Sequence, residues 1–219
     1  MTTYADIFKD GLYQYMVGPS YNAYVQSSVE TILRHAGDAQ TALSVGCGNG
    51  DIEAAIGDRL DLTLYDTHGA ASTAHQDLHW LPHLPNGQFD YVYAHGSVFA
   101  CVPQDQKQKF IDDLAARVRD GGTLYVCGGN TTRCRCRGRV YSVNGKTVTE
   151  AVTKYGADWH ILTTHVWGVS KIDVTYYTAK VADYFASHTA RIRCVTGATQ
   201  NRVTAEVAEI KARFPYPAA

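Results

Sequence analysis

Apolar positions in this chain form two patterns: short unbroken runs, and stripes at helical spacing. Thr41 to Val45 is a run of small, β-branched and apolar residues and predicts a buried strand. Leu62-Thr63-Leu64-Tyr65 and Thr123 to Cys127 predict two more. Tyr24, Val25, Val29, Ile32 and Leu33 predict an amphipathic helix over 21–36, with Ser20 placed as its cap. Phe110, Ile111, Leu114 and Val118 form the inner stripe of a helix from Gln104 to Arg119. Its outer face carries Lys107, Lys109, Asp112, Asp113 and Arg117, and Gly121-Gly122 ends it. Asp51 to Ile56 reads as a helix start.

The second half is richer in Thr, Val, Tyr and His. Arg139 to Val143, Asn144-Gly145 and Lys146 to Thr149 predict a β-hairpin with a type I′ turn. Ala151 to Tyr155 reads as a short helix, and 159–167, 173–177 and 191–195 as strands. Val203, Val207, Ile210 and Phe214 recur at helical spacing, closed by Pro215 and Pro217.

Composition narrows the class. The chain has 219 residues, 45% hydrophobic and 19% charged, which suits one globular domain with a full core. A formal net charge of −1 counts against a non-specific nucleic-acid binder. No apolar run approaches the ~20 residues of a membrane span, and the N-terminus has no signal-peptide pattern. The six cysteines are scattered, which points to reduced thiols and a cytoplasmic protein. Cys134 and Cys136 have no second pair at metal spacing, so no metal site is expected.

Chemistry concentrates after the first strand. Gly46, Gly48 and Gly50 alternate between that strand and the helix start. Such a turn brings bare backbone N–H groups close to a ligand. Asp66 ends the next strand at about the 20-residue separation where an acidic side chain meets a ribose diol in nucleotide-binding βαβ units. A dinucleotide fingerprint would need its third glycine at position 51, which is Asp51.

The run Leu43-Ser44-Val45-Gly46-Cys47-Gly48-Asn49-Gly50 resembles the first motif of the class I S-adenosylmethionine-dependent methyltransferases. Phe89-Asp90-Tyr91-Val92 resembles the pattern that opens that family's fourth strand, and Gly121-Gly122-Thr123-Leu124-Tyr125-Val126 the pattern of its fifth. The likeness covers roughly residues 38–128. It implies a doubly wound, mostly parallel seven-stranded α/β sheet of Rossmann-like type, with helices on both faces and the hairpin inserted after the fifth strand. It implies a single domain over 1–219: an N-terminal helical lid or cap over 1–36, a cofactor-binding core over 38–128, and a substrate-side elaboration with the last strands over 129–219.

The implied cofactor is S-adenosyl-L-methionine. Gly46, Cys47, Gly48, Asn49 and Gly50 would approach its methionine moiety, Asp66 its ribose, with Thr67 beside it, and Asp77 with Leu78 its adenine. The family's acidic residue before the glycine turn is Ser44 here, and Glu53 is the candidate for the missing carboxylate near the methionine ammonium. Ala94 joins the cofactor set at the end of the fourth family strand. Tyr13, Tyr15 and Tyr21 belong to the expected lid: Tyr13 and Tyr21 toward the cofactor, Tyr15 toward the reacting groups.

The acceptor side is less specific. His95 is open to two readings, a group that orients the acceptor or takes its proton, and a satisfied structural histidine. Ser97 follows as a substrate-binding candidate. Arg133 and Arg135 lie in a run with four arginines, 133–139, which reads either as an anion site or as the charged face of an edge strand. The resulting expectation is methyl transfer to an O or N atom of a small-molecule acceptor. An RNA or cap methyltransferase using the arginine cluster is the enzymatic alternative, and a catalytically silent subunit of the same fold the other. Oligomeric state is left open.

Overall fold

The computed structural model describes residues 21–66, 84–128 and 138–197. Helix α1 (Tyr21–Ala36) leads into strand β1 (Thr41–Val45), helix α2 (Asp51–Ile56) and strand β2 (Asp61–Tyr65). Strand β3 (Phe89–Ala94), the one-turn helix α3 (Val98–Cys101), helix α4 (Lys107–Ala115) and strand β4 (Val118–Cys127) follow. Four strands come next: β5 (Arg139–Val143), β6 (Lys146–Tyr155), β7 (Trp159–Val166) and β8 (Ser170–Tyr177). Strand β9 (Arg193–Gly197) ends the described chain.

β1 to β4 and β9 form a sheet in the order β2-β1-β3-β4-β9, every neighbouring pair parallel. Strands covered on both faces need apolar residues at consecutive positions, and alternation then sorts them into two cores. Leu43, Val45, Val92, Ala94, Leu124 and Val126 join one core with Phe110, Ile111 and Leu114 of α4. Ala42, Tyr91, Tyr93, Tyr125 and Cys127 join the other with Val29, Ile32 and Ala36 of α1 and Ile56 of α2. That second face is unusually rich in tyrosine, so it is apolar in bulk but carries hydroxyls.

Asp90 locks the amino end of the sheet. Its Oδ2 accepts from the amides of Gln40 at 2.8 Å and Thr41 at 3.0 Å, and Arg119 pairs with Oδ1. Against the cost of desolvation, those amides and the guanidinium hold the Asp90 carboxyl below its ordinary value.

Some expectations are corrected here. The helix expected over 104–119 is shorter: a 3₁₀ turn at Gln104–Gln106, then α4, which stops at Ala115. Gly121 and Gly122 do not end it but lie inside β4, where the pairing with β3 shifts register between Phe89 and Tyr91. Gly121 has φ +77°, and a Cβ on Gly122 would sit 2.7 Å from the Asp90 carbonyl oxygen. The glycine pair thus allows a bulge and a close backbone approach. Lys107 is not on an outer face. It is fully buried, donates to the Phe99 carbonyl at 2.6 Å and sits 4.0 Å above the Phe99 ring.

The hairpin region also differs. Asn144 and Gly145 both have positive φ, 50° and 74°, as a type I′ turn needs. But β5 and β6 are half of a four-stranded antiparallel sheet, β5-β6-β7-β8. The short helix expected at 151–155 is the end of β6, because Val148, Glu150 and Val152 oppose Val166, Thr164 and Leu162 of β7 on one pleated face. Val148, Val166, Ile172 and Val174 form this sheet's own core, and Cys101 of α3 packs against it. Five strands, not seven, make up the parallel sheet among the described residues. The helix expected over 203–214 lies outside them.

Two stability measurements test this reading. Phe110→Ala removes a fully buried ring from the α4 core and should cost about 3–5 kcal/mol in urea unfolding. Asp90 has a depressed folded-state pKa, so its contribution is present at neutral pH and lost as pH falls below about 4. Asp90→Asn should therefore unfold more easily than wild type at pH 7, with the gap closing below that pH.

Candidate active site

β1 pairs with β2 on one edge and β3 on the other, so the chain leaves β1 in opposite directions across the sheet. In open α/β sheets ligands bind at that switch point, beyond the carboxyl ends of the strands. The glycine turn, Asp66 and 94–97 all lie there.

All three glycines of the turn are left-handed: Gly46 at φ +81°, Gly48 at +59° and Gly50 at +81°. The Gly46 and Cys47 amides donate to the Tyr65 carbonyl at 2.8 and 3.3 Å. The Gly48 amide donates to Asp66 Oδ2 at 2.8 Å. Asp66 therefore fastens the turn to the end of β2 and is itself buried. A Cβ on Gly46 would meet Val98 Cγ2 at 2.3 Å, so α3 rests directly on the turn. The Cys47 thiol, buried and close to Asp66 and Glu53, is pushed far above its ordinary pKa and is no thiolate nucleophile.

Glu53 in the first turn of α2 is buried beneath the glycines. Ser44 Oγ donates to its Oε1 at 2.6 Å and the Tyr93 hydroxyl donates to the same oxygen at 3.0 Å. Its Oε2 is buried without a hydrogen-bond partner. Burial raises the Glu53 pKa, and the Asp66 charge adds to that rise. Tyr21 reaches from α1 to donate to Asp51 Oδ2, and Asn49 Nδ2 donates to the same oxygen at 2.7 Å.

His95 leaves the end of β3 into the tyrosine-rich face. Nε2 lies 2.8 Å from Ser28 Oγ and Nδ1 3.2 Å from the Tyr125 hydroxyl. Burial lowers its pKa to about 4, so the ring is neutral, one nitrogen donating and the other accepting. The Tyr125 ring stacks on His35 at 4.8 Å. Ala94 is fully buried, and Ser97 is exposed just before α3.

The structure thus gathers Gly46, Cys47, Gly48, Asn49, Gly50, Glu53, Asp66, Ala94, His95, Ser97 and Tyr21 around one end of the sheet. Tyr13, Tyr15, Thr67, Asp77, Leu78, Arg133 and Arg135 lie outside the described residues. Ser28, Tyr93, Val98 and Tyr125 were missed. A signal for Ser28 existed: it is a polar residue inside the Val25, Val29, Ile32 stripe, where a buried partner is needed.

No protein-family model matches the sequence, and no curated protein resembles it at the sequence level. Solved structures do resemble the fold. The sugar N-methyltransferase KedS8 from Streptoalloteichus superposes with a TM-score of 0.60 at 16% identity, covering 82% of each chain. An S-adenosylmethionine-dependent methyltransferase from Clostridium acetobutylicum gives 0.60 at 11% identity, over 81% of this chain and 84% of that one. The chain has the class I methyltransferase fold. DesVI of Streptomyces venezuelae is similar as well, at 0.58 and 18% identity over 87% and 90% of the two chains.

His95 makes the site's stability acid-sensitive. Its folded-state pKa is lowered, so below about 6.5 the unfolded chain takes up a proton that the folded chain refuses. Stability should fall as pH drops from about 6.5 toward about 4, by up to about 1.4 kcal/mol per pH unit from this group. His95→Gln, which keeps a donor and an acceptor, should show a smaller loss between pH 7 and pH 5 in urea unfolding.

Proposed function

We propose that the protein is an S-adenosylmethionine-dependent methyltransferase that acts on an O or N atom of a small-molecule acceptor. The observation that carries this is the latch between the glycine turn and Asp66 at the switch point of the sheet. The residues fit a cofactor with a nucleoside end and an amino-acid end. Left-handed glycines allow close approach of backbone, Asp66 offers a carboxylate at a ribose position, and Glu53 Oε2 is an acceptor without a donor.

When bound, the cofactor supplies an electrophilic methyl group on a sulfonium that needs no further activation. The chain's part is then positioning. Asp66 binds ribose hydroxyls while still holding the turn. Val98 closes the apolar side next to Gly46. His95, held by Ser28 and Tyr125, fixes the backbone at 95–97 that faces the acceptor, and acts as a positioning residue. Tyr13 and Tyr15 in the expected lid, and Thr67, Asp77 and Leu78 at the ribose and adenine, complete the proposed site.

Three observations support a small acceptor. The net charge is −1. One structural neighbour is described as a sugar N-methyltransferase. An antiparallel sheet with its own core packs on α3, beside the turn, where it can wall a pocket. Among the described residues no helix is long and apolar enough to cross a membrane.

Calorimetric titration with S-adenosylmethionine and S-adenosylhomocysteine tests the cofactor. Wild type should bind both. Asp66→Ala should weaken both about ten- to hundredfold, the loss of hydrogen bonds to a charged group. Absence of binding by folded wild type would overturn the enzyme reading. RNA affinity that falls steeply with salt would instead favour an RNA acceptor.

A further inference from the structure

The first residue of α4 sits where a cation is least welcome. Lys107 is fully buried, and it opens a helix, where the partial positive charge of the backbone amides repels an ammonium. Among the described residues it joins no ion pair. From α3 it meets the Phe99 carbonyl, which accepts from Nζ at 2.6 Å, and the Phe99 ring, whose centre is 4.0 Å away. Cys101, also on α3, is its titratable neighbour, and the Tyr177 ring lies on the β8 side at 5.8 Å. What the ammonium adds over an apolar side chain of the same size is its hold on α3.

That hold acts on a segment that cannot stand alone. α3 is a single turn, Val98–Cys101, and Ser97 before it makes no side-chain capping bond. So short a helix is unstable without outside contacts. Its residues divide between partners. Val98 faces Gly46 of the glycine turn, Phe99 faces Lys107, Phe110 and Tyr184, and Cys101 faces the core of the antiparallel sheet. Val98 leaves no slack: a Cβ on Gly46 would lie 2.3 Å from Val98 Cγ2. A displacement of α3 therefore changes the packing on Gly46 directly.

We propose that Lys107 is a positioning residue for the cofactor turn: its ammonium fixes α3 through the Phe99 carbonyl, and α3 fixes Gly46 through Val98. The effect on ligand rests on the cofactor reading above, whereas the tether to the turn does not. A turn held in place before the ligand arrives loses less freedom on binding, so the tether raises affinity without touching the ligand.

The test separates positioning from mere support. Lys107→Met keeps the volume and removes the donor, and the Phe99 carbonyl keeps the Val102 amide at 3.3 Å. Urea unfolding should therefore stay close to wild type. Amide hydrogen exchange at Gly46, Cys47 and Gly48 should quicken relative to that of Leu43 and Val92 in the sheet. S-adenosylhomocysteine should bind about three- to tenfold more weakly by calorimetry, the scale of coupling between residues in contact. In a cycle with Val98→Ala, the double variant should bind no more weakly than Val98→Ala alone. Unchanged exchange at the turn, unchanged affinity, or losses that add would overturn the proposal. Loss of folding in both Lys107→Met and Lys107→Leu would overturn it too, by making the lysine a support for the core and nothing more. If wild type does not bind S-adenosylhomocysteine, the cofactor reading falls, and exchange at the turn still decides the role of Lys107.

Discussion

The site depends on one constraint: β1 must pair in parallel along both of its edges. The register with β3 sets Ser44 beside Tyr93, and the register with β2 sets Val45 beside Tyr65. The first pairing converges two hydroxyls on Glu53. The second brings the Tyr65 carbonyl and Asp66 under the glycine turn. A slip of one residue would reverse the faces of β1 and undo both. The apolar residues that enforce that register, Leu43 and Val45 toward α4 and Ala42 toward α1, are therefore as necessary to the site as the polar ones.

Two polar groups buried on the tyrosine-rich face, His95 and Glu53, share a design. Each is held by hydroxyls far away in sequence. Ser28 and Tyr125 serve His95, and Ser44 and Tyr93 serve Glu53. Such networks rigidify a core when every member is satisfied. Here the His95 network is closed and the Glu53 network is one donor short. Lys107 belongs with the closed set: its ammonium is held by the Phe99 carbonyl and ring, and burial lowers its pKa to about 8.

Much of this was legible in the sequence where the signal is local. Strands 41–45 and 62–65, helix 21–36 and the glycine turn show themselves through runs, spacing and φ demands that neighbouring residues impose. Gly46, Glu53, Asp66 and His95 could be named from their places in those elements. What was not legible is set by tertiary pairing. The glycine pair at 121–122 looks like a helix stop until β3 is seen lying against it. Residues 151–155 look helical alone and become strand because β7 offers partners. Lys107 looks like a solvated face residue until Phe99 closes over it. The neutral state of His95 comes from its burial, and its partners there, Ser28 and Tyr125, are not near it in the chain.

The Val98–Gly46 contact joins parts that the topology keeps separate. Val98 presses on the glycine turn, and Cys101, on the same single helical turn, packs on the core of the antiparallel sheet. One helical turn therefore touches both the glycine turn and the core of the second sheet, so a change of side-chain volume at Val98 would be felt on both sides of it.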